Sequence, residues 1–185
     1  STDYFNTKLY TGNGSTNAIT GVGFQPDWLW LKKRNSSVNH FLFDAVRGAS
    51  KELNSNNTEA EASPANYLSS FDSDGFTIGS DSDINGSSDT FASWNWLANG
   101  ACSANTDGSI NTTATSANTT SGISIVQYTG TGSEATVGHG LGVKPKIIFF
   151  KNLSGSANWV AQSTLLGNKV QLVLNDTSAQ NTDSR

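Results

Sequence analysis

Trp28-Leu29-Trp30-Leu31-Lys32, led in by Gln25-Pro26-Asp27 and closed by Asn35-Ser36-Ser37, is the stretch on which the fold turns. Extended backbone has a period of two, so Trp28 and Trp30 share one face and Leu29 and Leu31 the other. The run is too short for a helix and is bounded by turn residues on both sides. A short strand that is apolar on both faces needs a covering layer on each. It therefore belongs inside a layered β structure.

The flanking sequence has the same texture. Tyr4–Thr11 reads as a strand ending at Gly12-Asn13-Gly14. His40–Val46 follows, with Phe41, Phe43 and Ala45 on one face, and then the short run Ser50–Asn54. Tyr67–Phe71 and Phe76–Ile78, joined by Asp72-Ser73-Asp74-Gly75, form a hairpin signal. Thr90–Leu97 carries the alternating pair Trp94 and Trp96. Short β-favouring blocks between Gly, Asn and Ser clusters indicate an all-β fold. The expectation is tandem antiparallel β-sandwich modules, jelly-roll or concanavalin-like, with little helix.

The tandem arrangement comes from an internal repeat. Leu9-Tyr10-Thr11-Gly12-Asn13-Gly14-Ser15 returns as Gln127-Tyr128-Thr129-Gly130-Thr131-Gly132-Ser133, an offset of 118. One inserted residue later the offset is 119 and holds. Gly21, Gly23 and Pro26 match Gly140, Gly142 and Pro145, and the opening stretch matches Ile147-Ile148-Phe149-Phe150-Lys151. Asn39, Gly48 and Leu53 match Asn158, Gly167 and Leu172, and Asn56-Asn57-Thr58 matches Asn175-Asp176-Thr177. A period of this size exceeds a solenoid unit, which spans roughly 20–50 residues. It suits a whole β domain. The division expected is a first sandwich over residues 1–98, a Ser/Thr/Asn-rich linker over 99–121, and a second repeat over 122–185. That second repeat stops before any counterpart of Phe71–Trp96. With no Met in the chain, this reads as a segment of a longer protein.

Composition excludes several classes. Only 14% of residues are charged, and the net charge of −4 lacks the basic surface of a nucleic-acid binder. No apolar run reaches 18 residues, so no membrane-spanning helix is expected. Cys102 alone cannot build a disulfide scaffold. The polar richness resembles disorder, but five Trp, nine Phe and four Tyr are too many for a solvating tail.

No catalytic residue is assigned. His40 and His139 sit outside any nucleophile motif and at different places in the repeat. The glutamates are Glu52, Glu59, Glu61 and Glu134, three of them in or beside one loop, which reads as solvated charge rather than a glycosidase pair. Asp81-Ser82-Asp83-Ile84-Asn85-Gly86 fits the opening of a calcium loop. Its twelfth position, however, is Ala92 and not the required bidentate Glu. The preferred reading is a turn, so no metal and no cofactor is assigned. Trp94 and Trp96 are candidates for stacking against sugar rings, weighed against ordinary inward packing. Trp28 and Trp30, replaced by Ile147 and Phe149 in the repeat, read as core. Lys32 and Arg47 are candidates for contacting an acidic glycan, against the reading of a solvated strand end.

Asp3-Tyr4-Phe5-Asn6-Thr7-Lys8-Leu9-Tyr10-Thr11-Gly12-Asn13-Gly14 resembles a domain common in proteins of marine bacteriophages. So do Val22–Trp30, Phe43–Ala49, Ser70–Phe76 and Trp94-Asn95-Trp96. The resemblance covers nearly all of the first copy and is looser in the second. Such domains often follow a concanavalin-like or SPRY-like sandwich in long phage structural proteins. It implies an extracellular virion component, such as a tail fibre, receptor-binding protein or capsid appendage. The tandem modules and the aromatic, Asn-rich loops point to a non-enzymatic role in attachment to a host-surface glycan. The alternative is capsid decoration or a filament-forming spacer. The implied partners are other virion proteins and copies of the chain itself, with no nucleic acid and no membrane. The resemblance assigns no catalytic or binding residues.

Overall fold

The computed structural model describes residues 2–100, 102–167 and 169–182. The described chain is nearly all β, with fourteen strands in antiparallel sheets and one short helix. The larger sheet of the N-terminal part is ordered β1-β8-β3-β4-β5, where β1 is Phe5–Thr11, β3 Trp28–Lys33, β4 Phe41–Asp44, β5 Leu53–Asn54 and β8 Thr90–Trp96. The smaller is β2-β7-β6, with β2 Asn17–Thr20, β6 Leu68–Asp72 and β7 Gly75–Ile78. The hairpin anticipated around Asp72–Gly75 is β6–β7. Strand β2 and helix α1 (Ser82–Asn85) had no clear signal in the sequence.

The two sheets enclose one core. Leu29, Leu31, Phe41 and Phe43 on the inner face of the larger sheet meet Ile19, Leu68, Phe76 and Ile78 of the smaller, with Ile84 of α1 closing one end. Each of these side chains is almost fully buried, and a buried Leu, Ile or Phe contributes about 1.5–3 kcal/mol relative to an exposed one. Tyr10 joins from the edge strand, stacked on Phe91 at 5.0 Å, with its hydroxyl donating to the Ile84 carbonyl at 2.7 Å. Burial raises the Tyr10 phenol far above its ordinary value, so it stays a neutral donor.

The C-terminal part holds β11 (Ile147–Phe150), β12 (Val160–Ser163), β13 (Val170–Val173) and β14 (Asn181–Thr182) in that spatial order. Positions matched in the repeat make the same bonds. The His40 amide donates to Asn56 Oδ1 at 2.8 Å, and the Trp159 amide to Asn175 Oδ1 at 2.7 Å. Asn56 Nδ2 reaches Asn39 Oδ1 at 3.0 Å, and Asn175 Nδ2 reaches Asn158 Oδ1 at 2.9 Å. The bridge Glu52↔Ala62 has its counterpart in the pair Gln171↔Asn181. Gly48 and Gly167 both sit at φ 100°, a backbone region closed to most side chains, and close the same turn.

Residues 99–121, expected as a linker, contain strand β9 (Ala114–Asn118), which pairs with β10 (Ile123–Gln127). The segment is also tied to the end of β8. The Asn99 amide donates to Ser116 Oγ, Asn118 Nδ2 to the Ala98 carbonyl, and Ser121 Oγ to the Leu97 carbonyl. The β11–β12 loop lies on the residues just after β5. Trp159 is buried against Leu42 and Leu53 and donates its indole N–H to the Asn54 carbonyl at 2.8 Å. The Ala157 amide donates to the Thr58 carbonyl, and the Glu61 amide to that of Leu153.

Candidate functional site

The register of the larger sheet sets the site. Trp28 lies opposite Trp96 and Trp30 opposite Trp94 across β3–β8, while Phe5 lies opposite Trp96 across β1–β8. Pairing two i, i+2 tryptophan pairs in antiparallel register puts all four indoles on the outer face. On β8, Phe91, Ser93 and Asn95 alternate with the tryptophans and face inward, and Ala92 continues the outer face. Ring centroids run Phe5–Trp96 4.9 Å, Trp96–Trp28 4.6 Å, Trp28–Trp30 6.3 Å and Trp30–Trp94 6.5 Å, tilted or edge-on throughout. These separations fall in the range of favourable aromatic contacts. All four indoles are half-buried, and Phe5 is exposed.

Polar groups border the row. Exposed Thr7 lies opposite Trp94 on β1. His40 stands edge-on to Trp30 at 6.0 Å, and its Nδ1 accepts the Trp30 indole N–H at 3.2 Å. That bond requires an unprotonated Nδ1. Burial first, and then the Lys32 charge, hold the His40 pKa below its ordinary value. At the other end Asp27 is fully buried. Its Oδ2 accepts from the amides of Ala98 at 2.8 Å and Gly100 at 3.1 Å, pinning the chain as it leaves β8. Burial pushes the Asp27 carboxyl above the ordinary range, against the lowering effect of those bonds.

Of the residues singled out from sequence, Trp94 and Trp96 lie in this row. Trp28 and Trp30, read as core, lie in it too: the buried trio Leu42, Leu53 and Trp159 covers part of their surface, and the rest faces outward.

 The neighbour from the β11–β12 loop in that contact is Leu153, packed with Trp28 and Trp30 around the buried trio Leu42, Leu53 and Trp159. Lys32 and Arg47 are not brought to the row as free cations. Lys32 Nζ donates to the carbonyls of Lys33, Ser36 and Val38 and closes the β3–β4 turn. The Arg47 guanidinium is buried between Asp44 at 2.6 Å and Glu61 at 3.4 Å. The central part of the face is therefore uncharged.

The calcium-loop motif forms α1 instead. Asp81 caps the helix by accepting the Asp83 amide at 2.8 Å. Asn85 is fully buried and serves as a hub. Its Oδ1 accepts from the Asn13 amide and Asn17 Nδ2, and its Nδ2 donates to Asn13 Oδ1 and to the carbonyls of Ser15 and Gly79. Among the described residues, no group of three or more His, Cys, Asp or Glu side chains gathers in a way that could hold a metal.

A two-sheet antiparallel sandwich with an aromatic outer face, followed by a second set of strands with the same local bonds, defines the class: an all-β, sandwich-type protein. Within that class the chain belongs to the family described as a domain of unknown function, DUF7483, which matches it over residues 1–185. No curated protein and no solved structure matches the chain.

Proposed function

We propose that this chain is a non-enzymatic β-sandwich module of a bacteriophage virion appendage, holding a neutral host-surface glycan on the row Phe5, Trp96, Trp28, Trp30 and Trp94. The observation that carries this reading is the continuous, half-exposed aromatic surface on the outer face of β1, β8 and β3. Large aromatic surface left in contact with water marks a recognition site more often than a structural need. Indole faces suit the C–H faces of a sugar, and the polar border offered by Thr7 and His40 suits its hydroxyls. The row itself carries no charged side chain, and the nearest cation, Lys32, is engaged with three backbone carbonyls, which favours a neutral saccharide over an acidic one. The virion setting rests on the sequence resemblance, which implies an extracellular module.

The test is binding of the chain to a panel of neutral oligosaccharides, with Trp94→Ala and Trp96→Ala alongside. Losing one stacked ring, at about 0.5–1.5 kcal/mol, weakens a bound glycan by up to about tenfold while the far-ultraviolet spectrum stays unchanged. No binding by the unsubstituted chain across the panel rejects the reading. A second reading, a structural spacer or decoration protein assembled through strand contacts, is favoured by one observation: the exposed apolar strand β11.

A further inference from the structure

In the N-terminal sandwich, β3 is enclosed between β8 and β4. Its counterpart β11 has β12 on one side, and among the described residues no strand pairs with the other. The faces of β11 are open as well, because among the described residues no second sheet covers them as β2-β7-β6 covers the inner face of β3. Leu29 and Leu31 are 0% exposed, whereas the matched Ile148 and Phe150 are 38% and 37% exposed; on the opposite face Ile147 reaches 59% and Phe149 43%. Four consecutive apolar residues on an unpaired edge form a template for strand addition.

We infer that the free edge of β11 is the docking site for one antiparallel β-strand with the chemistry of β8, contributed from outside these 185 residues. The N-terminal sandwich supplies the pattern, because there the equivalent edge is filled by Thr90–Trp96, an uncharged strand with Trp94 and Trp96 on one face and Phe91, Ser93 and Asn95 on the other. The observed pairs Trp28↔Trp96 and Trp30↔Trp94 set the register. Carried across the repeat, the incoming strand places one aromatic opposite Ile147 and the next opposite Phe149. Its small polar residues face Ile148 and Phe150. A second β11 is a poor occupant. Lys146 and Lys151 bracket the strand, and two copies in the antiparallel register that buries all four apolar residues set these lysines opposite one another. Like charges placed so are destabilising. A strand of the β8 type carries no such charge.

This inference does not depend on the glycan reading, and the two are tested separately. The probe is a fluorescently labelled synthetic peptide with the sequence of residues 88–97, added to the 185-residue chain. Anisotropy is expected to saturate at one peptide per chain, and exchange of the Ile147–Phe150 amides to slow by at least about tenfold. A scrambled peptide, and one with Pro in place of Ser93, are expected not to bind. The variant Ile147→Lys/Phe149→Lys keeps β12 and β13 available for pairing and is expected to lose the peptide. The inference is overturned by a folded chain that leaves the peptide unbound. It is equally overturned by a chain whose β11 amides are already protected in a self-associated state that the peptide does not displace.

Discussion

Replacing Asn85 by Ala or by Asp separates a structural hub from a dispensable loop residue. The amide side chain makes five hydrogen bonds to four residues in two segments of the fold, 13–17 and Gly79, and the residue is fully buried. Ala removes all five. A buried polar group left without a partner costs about 1–3 kcal/mol. Asn13 and Ser15 lie in an exposed loop and regain water when it shifts, whereas the Gly79 carbonyl is half-buried and does so less readily. The expected loss is therefore about 3 kcal/mol, a substantial share of the 5–15 kcal/mol typical of a domain. Asp is nearly isosteric but sets a carboxylate oxygen against three acceptors, Asn13 Oδ1 and the carbonyls of Ser15 and Gly79. Asn85→Asp is thus expected to be less stable than Asn85→Ala at neutral pH, and to recover part of the difference once the carboxyl is protonated and can donate again. Urea unfolding followed by tryptophan fluorescence, at neutral and acidic pH, measures both. An Asn85→Ala loss below about 1 kcal/mol, or an Asn85→Asp protein as stable as the parent at neutral pH, refutes the reasoning.

Trp159→Ala removes a buried indole and its bond to the Asn54 carbonyl, and is expected to cost about 3–5 kcal/mol at the contact between the two strand sets. Limited proteolysis should then cut the β11–β14 part before the N-terminal sandwich; equal protection in parent and variant argues against that contact holding the parts together. Asp27 and Glu52 both have carboxyl pKa values raised by burial. The folded state therefore keeps their protons after the unfolded chain has lost them. Their contribution is fully present below the ordinary carboxylate range, at about pH 4, and falls as pH rises through the raised folded values. Asp27→Asn with Glu52→Gln keeps the acceptor oxygens and is expected to flatten that part of the melting-temperature profile; an unchanged slope counts against it. Gly48→Ala and Gly167→Ala both strain a residue at φ 100°. Gly48→Ala should lower the melting temperature more, because its turn joins strands of the enclosed core, and an equal effect of the two denies that difference.

Much of the architecture was readable because β patterning is local. Trp28–Lys32, Tyr67–Ile78 and Thr90–Leu97 announce their strands through alternation and turn residues, and these became β3, the β6–β7 hairpin and β8. Strand β2 escaped notice because Asn17-Ala18-Ile19-Thr20 carries a single core side chain, Ile19, and owes its extended state to pairing with β7. Helix α1 escaped because one turn carries no periodicity, and Asp81, Asp83 and Asn85 serve caps and turns as readily as metal loops. The candidate site was half legible. The spacing of Trp94 and Trp96 was visible, but nothing in their neighbourhood announced that Trp28 and Trp30 share their face.

The sequence by itself determined the all-β class and the matched positions of its two halves, because period-two alternation, turn glycines and repeated asparagines act over a few residues. Only the tertiary structure decided which residues meet. β8 inserts between β1 and β3, which assembles five aromatics from three distant segments into one surface. The facing sheet β2-β7-β6 buries Leu29 and Leu31, and among the described residues no such layer covers Ile148 and Phe150, which stay in contact with solvent. Strand order and register are non-local choices, made by whichever pairing buries the most apolar surface, and a side chain's own sequence neighbours carry no record of them.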